Sequence, residues 1–190
     1  MTLLGRLLKN RRADEAHSVW HLPTLQGPEV LTLTSRDFAD GASMPARSAA
    51  KNIRGENVSP HLAWTAPPAG TEHLLLVMED IDVPLPKPLV HCVALLDPAR
   101  TELEPGALDA REPGAGVRLP RASIGRGYHG PGPIKGHGPH RYVFELFALP
   151  AAVGDTIGTT PVDRARPRTL LSALTAPVLG RGRLTGTYER

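Results

Sequence analysis

At 190 residues the chain is the size of one ordinary domain, and its 19 glycines and 20 prolines leave little room for long uninterrupted helices. The formal charge of +3 sits at the ends, because residues 1–12 carry four basic side chains and no acid while 13–150 hold 12 basic against 16 acidic ones. With two Trp, three Tyr and three Phe in all, this balance argues against a nucleic-acid-binding face.

The first predicted element is a short amphipathic basic helix. Leu3, Leu4, Leu7 and Leu8 recur at helical spacing, with Arg6, Lys9, Arg11 and Arg12 between and after them. Residues 1–12 could touch an anionic membrane surface, but so short a helix anchors weakly, and packing on its own domain or on a partner subunit is the preferred expectation. An irregular lead-in to residue 28 follows, which sets 1–28 apart from a single domain over 29–190. VLTLTS (30–35) alternates like a strand, and NVSPHLAWTAPPAG (57–70) reads as a loop with one extended piece around Trp64.

HLLLVMED (73–80) is a buried strand that ends in the acidic corner DIDVP. LVHCVALLD (89–97) is a second, in which Cys92, the only cysteine, reads as an inert buried thiol and excludes an internal disulfide. A long connection over 97–124 precedes a third strand, RYVFELFAL (141–149). RPRTLLSALTAPVLG (166–180) reads as a helix and GRLTGTYER (182–190) as a closing strand. Strands with few and late helices predict a mainly β, mostly antiparallel fold. No stretch approaches the roughly 20 apolar residues of a spanning helix, and the N-terminus lacks a secretory cleavage signature, so a cytoplasmic location is expected.

Residues 125–140, GRGYHGPGPIKGHGPH, cannot be a helix interior, since proline removes donors and glycine costs helix entropy. This is a shaped loop. Asp80 and Asp82 lie two apart, so in extended chain both point the same way, and two adjacent carboxylates need a cation, a proton or histidine partners. His91 stands early in the next strand, and His140 and Tyr142 share a face of the third. Three chemistries fit such a cluster. A metal site would use two His and a carboxylate, but no motif of reliable metal spacing is present, and none is expected. A hydrolase could use a His/Asp acid–base pair, although no nucleophile motif accompanies it. Anion capture would place the N–H groups of Gly130, Gly132 and Gly136 against a phosphate, with a histidine adding charge. His17, His21, His61, His73, His129 and His137 read as ordinary surface or core histidines.

Four blocks resemble the phosphatidylethanolamine-binding protein family, in particular its bacterial YbhB/YbcL, Raf-kinase-inhibitor-like branch. They are NVSPHLAWTAPPAGT (57–71), EDIDVP (79–84) followed by VHCVAL (90–95), YHGPGPIKGHGPHRYVFELFAL (128–149) and LTGTYER (184–190). The resemblance implies an antiparallel β-sandwich with a few short peripheral helices and a small anion pocket at one end. By position, the pocket would be formed by Asp80, Asp82, His91, Tyr128, Gly130, Gly132, Pro133, His140 and Tyr142. Ile81 and Ile134 stand where the family pattern has proline, which loosens the backbone at both places. The expectation is a non-catalytic module, needing no cofactor, that holds phosphate, phosphoethanolamine or a carboxylate, with Asp80 and Asp82 fixing the histidine tautomers. Some family members regulate kinases or proteases, and the related bacterial proteins are often homodimers. A small-ester or phosphoester hydrolase is the alternative.

Overall fold

A computed structural model describes residues 2–174 and 177–190. Helix α1 (Leu3–Leu8) is capped by the Thr2 hydroxyl, which accepts from Gly5 N at 3.1 Å. Three 3₁₀ turns between residues 15 and 25 lead to β1 (Leu33–Thr34) and β2 (Leu62–Trp64). The long strands β3 (His73–Asp80) and β4 (Leu89–Leu96) come next, then the short β5 (Glu102–Leu103) and β6 (Val117–Arg118). The chain continues through β7 (His140–Leu149), the small hairpin β8 (Thr156–Ile157) and β9 (Thr160–Pro161), helix α2 (Pro167–Ser172) and β10 (Gly180–Tyr188).

The main sheet has the order β10-β7-β3-β4-β6, every pairing antiparallel, and a three-stranded sheet β1-β2-β5 packs on one of its faces. Period-two alternation explains why the sheet is covered on both sides. Leu74, Leu76 and Met78 of β3 join Phe144 and Leu146 of β7 against Leu33, Leu62, Trp64 and Leu103 of the smaller sheet. The opposite set, Leu75, Val77 and Phe147, packs under Val19, Trp20 and Leu25 and under Leu170 and Leu171 of α2. Residues 13–28 are therefore part of the core covering, with Val19 and Leu25 fully buried.

The expected strands at 73–80, 89–97 and 141–149 are all present. The expected 30–35 strand shrinks to two residues, and the connection 97–124 contains β5 and β6. The helix expected over 166–180 stops at Ser172. Residues 175 and 176 lie outside the described residues, and beyond them Val178 N donates to Gln26 O (3.3 Å) and Leu179 N to Ala148 O (2.8 Å), so sheet pairing claims this end of the segment. No helix among the described residues is long and apolar enough to cross a membrane.

Candidate functional site

At one end of the main sheet a cavity of about 320 Å³ opens between β3, β4, β7 and the glycine loop. Tyr142 pairs with Asp80 across β7 and β3, which puts both on the cavity side, and His140 lies two residues before Tyr142 on the same face. His91 arrives by a different device. The β3–β4 register runs Met78↔Cys92 and then Glu79↔Val90, so His91 is the extra residue of a β-bulge. Cys92 and Val90 belong to opposite faces, and the bulged residue between them is turned to line the cavity.

Of the nine residues expected at the site, Asp80, His91, Gly130, Gly132, Pro133, His140 and Tyr142 line this cavity. Asp82 and Tyr128 do not. Asp82 turns to Arg141, accepting from its backbone N (2.8 Å), its Nε (2.9 Å) and its Nη2 (3.0 Å), with Arg12 Nε at 3.5 Å. Burial alone would raise the Asp82 pKa, but the Arg141 hydrogen bonds and charge hold it below the ordinary value. The expectation that Asp82 fixes a histidine tautomer is corrected: it is a clamp on the start of β7. Tyr128 is buried, its hydroxyl donating to Ser48 O at 2.9 Å, and it walls a neighbouring cleft.

Asp80 does engage a histidine, its Oδ2 lying 2.7 Å from His140 Nδ1. The other ring nitrogen of His140 is also taken, by His137 Nδ1 at 2.6 Å. His137, read from sequence as an ordinary residue, is fully buried and lies 3.0 Å through Nε2 from the Arg11 carbonyl. Burial, then the nearby Arg12 and His140, lower its pKa. The His140/Asp80 pair of the hydrolase alternative thus has no free ring nitrogen facing the cavity.

The loop amides are spent as well. Gly130 N donates to Asn57 Oδ1 (2.8 Å), Gly132 N to the Tyr142 hydroxyl (3.3 Å) and Gly136 N to Arg190 O (3.0 Å). The expected capture of an anion by these three amides is corrected accordingly. Gly130 serves close approach instead, since a Cβ there would stand 2.1 Å from Ser48 O, and Gly136 supplies a left-handed turn at φ 85°. What remains open is His91. Its Nδ1 donates to His129 O at 2.7 Å, and its buried Nε2 has no partner among the described residues. Burial lowers the His91 pKa, with Asp80 opposing the effect.

Sequence reasoning missed three positioning groups. Asn57, held in the left-handed region at φ 60°, donates from Nδ2 to Tyr128 O at 2.9 Å and accepts from Gly130 N. His137 carried a visible signal, since it lies three residues from His140 in the same loop. Arg12, whose Nη1 sits 2.9 Å from His137 Nε2, carried none. Away from the cavity, His61 lies near Glu102 and Glu104, but its Nδ1 accepts from Arg36 N (3.3 Å), so in the neutral ring the other nitrogen bears the proton and is not free for a metal.

Residues 34–189 match the family model described as phosphatidylethanolamine-binding protein. The UPF0098 protein Rv1910c of Mycobacterium tuberculosis is 36% identical over 171 residues, covering 88% of this chain and 75% of that one. The UPF0098 protein YbhB of Escherichia coli is 36% identical over 124 residues, covering 63% of this chain and 78% of that one. The crystal structure of E. coli YbcL superposes with a TM-score of 0.72 at 25% identity, covering 84% of this chain and 98% of that chain. With its mainly β architecture, these similarities make the chain a member of the phosphatidylethanolamine-binding protein family, of the YbhB/YbcL type.

Proposed function

We propose that the cavity binds a small oxyanion, such as phosphate, a phospho head group or a carboxylate, through the Nε2 of His91. The observation that carries this reading is that buried nitrogen without a partner, in a residue lining the cavity. With Nδ1 donating to a carbonyl, neutral His91 offers only a lone pair at Nε2. An incoming anion makes protonation favourable, and the resulting Nε2–H gives a charge-assisted hydrogen bond. Binding and protonation are therefore linked. The charged and titratable groups around His91 are Asp80, which favours its protonation, and His129 and His140, which oppose it. Tyr142 meets its ring edge-on at 5.3 Å and brings a hydroxyl kept protonated by burial and by Asp80.

Sulfate tests this directly, because it does not titrate between pH 5 and 8. Its affinity should rise as pH falls through the range below the ordinary histidine value of 6.5, and calorimetry in buffers of different ionisation enthalpy should register proton uptake. His91→Gln should abolish both effects. A sulfate affinity that is independent of pH and unchanged in His91→Gln overturns the reading.

A further inference from the structure

Beside the His91 cavity, and sharing Ala50, Asn52 and His129 with it, lies a second cleft of about 430 Å³. Three cations converge on it: Lys51, Arg111 and Arg126. They come from three separate backbone segments, and the fold holds those segments together tightly. Gly127, at φ 72°, lies so close to the 108–110 segment that a Cβ there would stand 2.7 Å from Leu108 O and 2.8 Å from Ala110 N. The contact is sealed by Tyr128 N donating to Leu108 O at 2.8 Å, which sets Arg126 and Arg111 on adjacent runs of chain. Lys51 belongs to the turn that Asn57 ties to the same strand of loop through Tyr128 O.

None of these three cations forms an ion pair among the described residues. Among the described residues the one carboxylate lining the cleft is Asp109, which accepts from the backbone N of Arg111 at 2.7 Å, and Arg126 donates only through Nε, to Leu119 O. Three cations against one carboxylate leave the cleft with a positive excess, and an anion lodged among them relieves their mutual repulsion.

We propose that this cleft is a second anion subsite, so that the ligand of the two adjoining cavities carries two anionic groups, as a linear polyphosphate or a bis-phosphorylated small molecule does. The inference rests on the His91 cavity as the first subsite. One anionic group would sit at His91 and the other among Lys51, Arg111 and Arg126, with Asn52 and His129 forming the wall between them. Linking two groups in one molecule makes the second contact intramolecular, so affinity rises well above that for either group alone.

The test is calorimetric titration of the full chain with inorganic phosphate and with tripolyphosphate. Tripolyphosphate should bind wild type at least about 30-fold more tightly than phosphate. Arg111→Ser/Arg126→Ser should weaken tripolyphosphate by about tenfold or more and phosphate by less than about threefold. Arg164→Ser/Arg166→Ser, which removes the same charge at exposed positions elsewhere, should leave both ligands nearly unaffected. An unchanged tripolyphosphate affinity in Arg111→Ser/Arg126→Ser, or an equal loss in the control, overturns the second subsite. If that loss is specific but His91→Gln leaves phosphate binding untouched, the first subsite is overturned and the cleft stands as the anion site on its own.

Discussion

Replacing Asp82 by Asn separates a clamp from a ligand contact at a residue that sequence alone placed in the pocket. The side chain is buried and receives two hydrogen bonds from the Arg141 guanidinium, at 2.9 and 3.0 Å, besides one from the Arg141 backbone. Asparagine preserves the volume and one acceptor but removes the charge. Charge-assisted hydrogen bonds contribute about 1.5–3 kcal/mol each, and the Arg141 side chain is 46% exposed, so solvent screening places the combined loss near 2–3 kcal/mol. For a chain of this length that corresponds to a fall in Tm of about 5–10 °C. Asp82 has a depressed pKa, so its stabilisation is fully present above the ordinary value of 3.8 and is lost as pH falls through its own, lower value. The wild-type advantage over Asp82→Asn should be constant from pH 5 to 8 and shrink below pH 4. Thermal unfolding across pH, paired with sulfate titration at pH 6, provides the assay. An unchanged Tm together with lost sulfate binding would refute the clamp and return Asp82 to the pocket.

Gly130→Ala must displace the loop from Ser48 O, so it should cost about 2 kcal/mol or more and weaken sulfate binding; urea unfolding and calorimetry check both, and wild-type behaviour would show that the approach is not tight. Glu79 is buried, and although Val19 N and Arg168 pull the other way, burial raises its pKa from 4.5 to about 7. The unfolded chain therefore gives up this proton first, and stability should fall as pH rises from 4.5 to about 7, with a shallower slope in Glu79→Gln; equal slopes in urea unfolding would contradict this. Arg12→Ala removes a cation from the His137 ring, so the His137 resonance should titrate at higher pH in NMR, and an unmoved titration would exclude the contact.

Much of the fold is legible because alternation is a local property. HLLLVMED, LVHCVALL and HRYVFELFAL each carry enough β-branched, aromatic and leucine side chains to be strands buried on both faces, and all three form the centre of the sheet. The same alternation places His140 and Tyr142 together, and the glycines and prolines of 125–139 announce a shaped loop. The spare hydrogen-bonding capacity was not legible. Gly130, Gly132 and Gly136 look like free amides in sequence, yet their partners Asn57, Tyr142 and Arg190 stand 73, 10 and 54 residues away.

The sequence by itself determined the long strands of the main sheet, the mainly β class, the family and the order in which Asp80, His91, His140 and Tyr142 enter one end of the sheet. Tertiary structure alone decided which polar atoms remain unpaired. The bulge that points His91 inward depends on β3 and β4 pairing out of register at Met78/Glu79, and the turning of Asp82 to Arg141 depends on where β7 begins beside it. So does the closing of the His140–His137 chain by residues 11 and 12, from a segment 125 and 126 positions away. A hydrogen bond is decided by distance and direction between two particular atoms, and no periodicity along the chain encodes where a distant partner comes to rest.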